Sequence, residues 1–271
     1  MSSYLIYDNH CPLCKVYTKA FVKMDFLETE GRVAFSELED EKVIAMVDWK
    51  RAKNEIPYID LKENKTYYGV DALLKVLGGK WNFFNWYAKQ SLLVAAAKQL
   101  YKFVSYNRRV IIAGNPTPCR FDAAPDFNAT YRIAYILFAW LVSSLMLTQY
   151  ASALNPYLAE GFFGREFLIG GGQIIFQIAL LLFFVRDKVK IFDYLGNLMT
   201  VSIAGSLLLF PSLIIGEWYS NALFSLLYFG FIVMWMFVEH WRRVKLLGLP
   251  IIISFSWIAY RIAIYYLLDL N

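Results

Sequence analysis

"YDNHCPLCK", Tyr7 to Lys15, sets two of the chain's three cysteines two residues apart, beside a proline. The flanking sequence gives that spacing a place. Tyr4–Asp8 is a short apolar run that predicts a strand. After the cysteines, "KVYTKAFVKMDFLE" carries apolar residues at 16, 17, 20, 21, 24 and 27, the spacing of one helix face. "RVAFSEL" at 32–38 predicts a second strand and 39–52 a helix. "IPYIDL" at 56–61 and "KTYYG" at 65–69 predict a strand pair turning at Glu63-Asn64. "VDALLKVLGG" at 70–79 predicts a helix ended by glycine.

A Cys-x-x-Cys between the first strand and its helix predicts an α/β thioredoxin-like N-terminal domain. Cys11 then stands at a helix N-terminus, where unpaired N–H groups and the dipole favour a thiolate. Such sites bring a thiol from about 8.5 into the range of about 3.5 to 7.5. Pro12 suits the first helical turn, where its missing N–H costs nothing. Cys11 is expected to be the attacking thiolate and Cys14 the resolving thiol. Pro57 opens the third strand, where it would face the pair and let Ile56 offer backbone hydrogen bonds to a bound chain; the alternative is a plain strand-edge proline. His10, if protonated, would acidify Cys11 further, or it is an exposed bystander. Asp8 accepts the Cys14 proton, holds its own loop, or caps the helix. Zinc is the rival for the cysteines. Cys11, Cys14, Cys119 and His10 would supply four ligands on paper, but adjacent His10 and Cys11 rarely face one ion and no second Cys-x-x-Cys exists, so no metal is expected.

The 271 residues are 58% hydrophobic, and the charges crowd residues 15–65. That asymmetry predicts three parts: the thioredoxin-like domain at 1–105, a Pro-rich linker at 106–130 holding Cys119, and a transmembrane region at 131–271. A helix crossing about 30 Å of hydrocarbon needs about 20 apolar residues. An all-α bundle of about five such helices is expected, at about 131–150, 167–185, 194–215, 222–238 and 248–268. The loops on one side hold Lys102, Arg108, Arg109, Arg120, Arg132, Arg186, Lys188, Lys190, Arg242, Arg243 and Lys245, against Arg165 alone on the other. By the positive-inside rule the N-terminal domain is cytoplasmic and the C-terminus lies on the far side, with the cell (inner) membrane the expected site. The chain does not open on a basic stretch and apolar run, so no cleavable signal peptide is expected. The net charge of +5 is absorbed by these loops and implies no nucleic-acid partner. Arg261, within "WIAYRIAIYY", is a costly intramembrane charge that either snorkels outward or meets a ligand inside the bundle. Gln173 and Gln177, four apart, share a helix face and with Arg261 make up a possible intramembrane site, packing being the alternative. Glu239 and His240 in "EHWRR" either anchor the span at the interface or serve a site there.

Three segments in order resemble the DCC family of thiol-disulfide oxidoreductases, named for Asp-x-x-Cys-x-x-Cys. They are "YDNHCPLCK", "YYGVDALLKVLGGKW" at 67–81, and "LYKFVSYNRR" at 100–109 followed by Cys119-Arg120. The resemblance covers about residues 4–120 and implies Asp8, Cys11, Cys14, Asp71 and Arg108 as site residues. Asp71 as a helix cap and Arg108 as a membrane-surface charge are the alternatives. Asn9-His10 replaces the Gly-x common after the motif's Asp. Nothing in the resemblance reaches residues 131–271.

The expected function is a membrane-tethered cytoplasmic thiol-disulfide oxidoreductase. Its partners would be a cytosolic thiol reductant or a thiol substrate protein, together with the lipid bilayer. No cofactor is expected: there is no G-x-G-x-x-G nucleotide fingerprint, and paired histidines for haem are missing from the spans. The spans also hold no cysteine, which excludes a disulfide relay through the membrane. Cys119 is a candidate third thiol. The alternative is a membrane protein that binds or moves a small molecule or lipid, with the cysteine domain as redox sensor or docking module.

Overall fold

Strand β1 (Ser3–Tyr7) ends in three consecutive buried residues, Leu5, Ile6 and Tyr7, the signature of a strand covered on both faces. The computed structural model describes residues 3–114, 124–155, 157–158, 161–218 and 221–269. The sheet order is β2-β1-β3-β4. β1 runs parallel to β2 (Arg32–Ala34), with Leu5 opposite Arg32. It runs antiparallel to β3 (Pro57–Asp60), which pairs antiparallel with β4 (Lys65–Tyr68). The β3–β4 hairpin turns through Asn64, whose φ of 49° is a conformation asparagine tolerates.

Alternation along β1 feeds two cores. Leu5 and Tyr7 join Cys11, Cys14, Ile56, Ala72 and Val76 on one face. Ile6 joins Phe35, Val43, Val47 and Ile59 on the other. Helices α1 (Pro12–Lys23) and α4 (Gly69–Gly78) supply the first layer, with Tyr101 of α6 (Ser91–Ile111) packed against it. Short α5 (Asn82–Tyr87) buries nothing.

Two local expectations are corrected. The strand expected at 32–38 stops at Ala34 and tightens into a 3₁₀ turn over Phe35–Glu37. The helix expected at 39–52 is two short ones, α2 (Glu41–Ala45) and α3 (Trp49–Ala52). Side chains of β4 satisfy the broken turn between them. Thr66 donates to the Met46 carbonyl at 3.0 Å, and the Asp48 N–H donates to the Tyr68 hydroxyl at 2.7 Å. Asp48 then caps α3 by accepting from the Arg51 N–H.

The chain divides into Met1–Tyr131 and Arg132–Asn271. Among the described residues the second part holds only helices: α7 (Ala129–Ala153), α8 (Arg165–Leu181), α9 (Lys188–Trp218), α10 (Ala222–Leu246) and α11 (Ile252–Asp269). Three of the five are long and apolar enough to cross a membrane, over Ala129–Ala153, Lys188–Ile215 and Ala222–Leu246. α8 has 17 residues, a rise of about 26 Å that falls short of the hydrocarbon thickness. In α11 the apolar stretch is the shorter Ile252–Leu267.

Polarity in this part is inverted relative to a water-soluble bundle. Ser144, Gln173, Gln177, Thr200, His240 and Ser254 are buried, while Ile175, Phe183, Leu227, Phe231 and Met234 are exposed. His240 is enclosed: Nε2 meets the Tyr194 hydroxyl at 3.2 Å, Nδ1 meets Ser254 Oγ at 3.1 Å, and the ring stacks on Trp257. That enclosure removes it from any site at the surface of the bundle. Glu239 instead accepts from Arg242 and Arg243 at 2.7 Å.

Candidate functional site

The site begins where β1 ends. Asp8 is buried and organises the turn after it: its Oδ1 accepts the His10 N–H at 2.8 Å and its carbonyl accepts the Cys11 N–H at 3.2 Å. Cys11 is the N-cap of α1, with extended backbone (φ −95°, ψ 109°), and its Sγ accepts the Cys14 N–H at 3.4 Å. Asp8 therefore holds the loop and does not cap the helix. Pro12 follows at the first helical position, as expected. Cys11 and Cys14 are 3% and 7% exposed.

Arg108 is the charge that matters here. It is buried on α6 and tied to groups in three segments. It donates to the Lys53 carbonyl at 3.0 Å and to Ser105 Oγ at 3.1 Å, and lies 3.5 Å from Asp8 Oδ2. Ser105 in turn donates to the Asn54 carbonyl. The half-exposed Arg109 stands 3.8 Å from the same carboxylate oxygen. A buried charge tied down this way is part of the interior and not a membrane-surface contact.

The two thiols are driven apart. Cys11 falls from its ordinary 9.0 to about 6, first because the Cys14 S–H hydrogen-bonds to it. The Cys14 backbone N–H and the Arg108 charge add to this, against burial and the Asp8 carboxylate. Cys14 moves far upward, because its proton is held by Cys11 and because it is buried; a hydrogen bond from Tyr17 works the other way. Cys14, not Cys11, lines a small, partly open cavity of about 70 Å³, shared with Asp8, Tyr17, Tyr101, Ser105 and Arg108. A water needs about 10–15 Å³ of such space, so the cavity can hold water between Cys14 and the carboxylate.

The remaining sequence candidates fall as follows. His10 lies beside the pair, but its backbone makes the contact; among the described residues its imidazole hydrogen-bonds nothing. Pro57 is buried at the start of β3, opposite Tyr68. The backbone hydrogen bonds expected of Ile56 are not free for a substrate, which is a correction. The Ile56 N–H donates to the Tyr101 hydroxyl at 2.9 Å, and the Ile56 carbonyl accepts the Gly69 N–H at 2.9 Å. Gly69, at φ +57°, has the Tyr101 ring against it, which makes glycine the fitting residue there. Asp71 stands apart from the pair in the first turn of α4, 40% exposed and 2.8 Å from Lys98. Cys119, and with it the four-ligand zinc set, lies outside the described residues. In the helical part Arg261 donates to Gln173 Oε1 at 2.6 Å, and Gln173 donates to the Trp257 carbonyl. Gln177 does not join them, turning to the Tyr194 hydroxyl and Ser256.

Sequence reasoning missed Tyr17, Tyr101 and Ser105. The signal for the last two was present: 101, 105 and 108 share one helix face. Tyr17 is one turn beyond Cys14.

A family model described as DCC1-like thiol-disulfide oxidoreductase matches residues 5–113. No curated protein and no solved structure matches the chain. The matched residues contain the whole of the cluster just described, Asp8, Cys11, Cys14, Tyr17, Tyr101, Ser105 and Arg108. Residues 5–113 of this chain are thus similar to the DCC1-like thiol-disulfide oxidoreductase family, and a separate helical C-terminal region follows them.

Proposed function

We propose that the chain is a membrane-tethered thiol-disulfide oxidoreductase, in which a thioredoxin-like domain works through Cys11 and Cys14. The observation that carries this reading is the placement of the pair: Cys11 is the N-cap of α1 and accepts the Cys14 N–H, and Cys14 lies one turn inward on the cavity it shares with Arg108, an arrangement that lowers the Cys11 thiol and holds the Cys14 proton. The Cys11 thiolate attacks one sulfur of a substrate disulfide. A Cys11–substrate S–S bond forms, the substrate S–S bond breaks, and the released thiolate takes up a proton from water.

The second half-reaction follows from what held the Cys14 proton. The largest cause of its retention is the hydrogen bond to Cys11. Once Cys11 is in a disulfide, that acceptor is lost, while Arg108 and Tyr17 still favour the Cys14 thiolate. The proton passes through the cavity toward Asp8. The Cys14 thiolate then attacks Cys11 Sγ and releases the second substrate thiol. The chain is left with a Cys11–Cys14 disulfide and the substrate has gained two electrons. A cytosolic thiol reductant restores the dithiol.

Support for the tether comes from the three long apolar helices and from the outward apolar, inward polar arrangement of the C-terminal part. In our reading all five helices lie in the cell membrane, with α8 and α11 as its shorter members. The one-sided Lys and Arg loops favour a cytoplasmic N-terminal domain and a C-terminus on the far side.

A Cys14→Ser chain expressed in cells should accumulate mixed disulfides through Cys11 to membrane-proximal proteins, seen as reductant-sensitive bands on a non-reducing gel. A Cys11→Ser/Cys14→Ser chain should show none. Equal trapping by both, or by neither, would sink the reading.

A further inference from the structure

The helical part forms a partly open cavity of about 610 Å³, lined by residues of α7, α8, α9, α10 and α11. That volume lies within the range of about 300–1,000 Å³ typical of small-ligand sites. Its walls are chiefly apolar, with Leu154, Leu209, Phe229 and Met236 among them. Three ionisable groups other than tyrosine line it among the described residues: Arg165, Glu166 and Arg261.

Arg165 Nε is 3.0 Å from Glu166 Oε1. Among the described residues no carboxylate lies within ion-pair distance of Arg261. The side-chain hydrogen bond of Arg261 goes to Gln173, a neutral group that fixes the Nε edge. The cavity therefore joins a guanidinium that has no ion pair among the described residues to an apolar wall. A guanidinium is well matched to carboxylate and phosphate oxygens.

We propose that this cavity binds a single-chain amphiphile with an oxyanion head, the head seated on Arg261 and the chain lying along the walls of α9 and α10. The head is either a carboxylate, as in a fatty acid, or a phosphate monoester, as in a lysolipid. This inference does not rest on the redox reading, and the cysteine variants leave it untouched.

The test is native mass spectrometry of the full chain released from a neutral maltoside detergent and titrated with oleate, oleoyl lysophosphatidate and oleyl alcohol. At least one of the anions should bind ten- to a hundredfold more tightly than the alcohol, the range for a hydrogen bond to a charged group. Arg261→Gln should erase that preference and Arg261→Lys should keep part of it. Preference for oleate assigns a carboxylate head, and preference for the lysophosphatidate a phosphate. The proposal is overturned if the alcohol binds as tightly as both anions, or if Arg261→Gln keeps the preference. Should Arg261→Gln fail to fold, Val233→Trp, which narrows the apolar wall and leaves the arginine in place, decides. It should weaken oleate about tenfold and spare octanoate; no effect on oleate, or equal loss of both, overturns the proposal.

Discussion

Replacing Cys11 with serine is expected to slow disulfide exchange by the full chain on the order of a thousandfold or more. Replacing Cys14 with serine should leave the first attack largely intact and block only its resolution. The asymmetry follows from where the two sulfurs sit. Cys11 is the N-cap of α1 and takes the Cys14 N–H, while Cys14 lies one turn inward against the cavity. A thiol brought to about 6 is mostly thiolate at neutral pH; a serine hydroxyl is not ionised there and leaves no reactive sulfur. The readout is reduction of a small aromatic disulfide in single turnover. Loss of the first turnover in Cys14→Ser and its survival in Cys11→Ser would reverse the assignment.

The second expected result concerns Arg108. Arg108→Leu should destabilise the chain by about 3–5 kcal/mol, because it strands the buried Asp8 carboxylate without its nearest positive partner. It also leaves the Lys53 carbonyl and Ser105 hydroxyl without their donor. Arg109, 39% exposed and 3.8 Å away, is a weak substitute. A fall in melting temperature of roughly 10 °C or more would follow. Arg108→Lys keeps the charge but not the planar fork, so an intermediate loss is expected. Arg108→Leu should also raise the Cys11 pKa, since the Arg108 charge is among the causes that lower it. A variant that melts like the parent and keeps its Cys11 titration would show that Arg108 is not a positioning residue.

The titration also sets a pH dependence of stability. Cys11 is lowered on folding, so its thiolate contributes to the reduced fold fully above about 9 and the contribution is lost as pH falls through about 6. Relative to Cys11→Ser, the reduced chain should gain stability as pH rises across that window.

What the sequence disclosed was local. The cysteine pair, Pro12 and the helical spacing after them lie within one turn and one helix, and they stand where expected. Apolar runs marked the positions of the C-terminal helices for the same reason, although their lengths separated three from the other two only in the structure. The remainder depends on residues far apart in the chain. Arg108 meets Asp8 across a hundred positions, and Tyr101 takes the Ile56 N–H across 45. The break between α2 and α3 is made by Thr66 and Tyr68, twenty residues on. Residue type alone groups Arg261 with both Gln173 and Gln177; only the structure, across 88 residues, shows that Gln173 is the one it meets.

The most direct measurement is the alkylation rate of each cysteine in the reduced full chain as a function of pH, using iodoacetamide and resolving the Cys11 and Cys14 labels by fragmentation mass spectrometry. A Cys11 midpoint near 6, with Cys14 unreactive until well above 9, is the predicted result. A Cys11 midpoint near 9, or two cysteines that titrate together, would contradict a polarised pair and with it the proposed exchange chemistry.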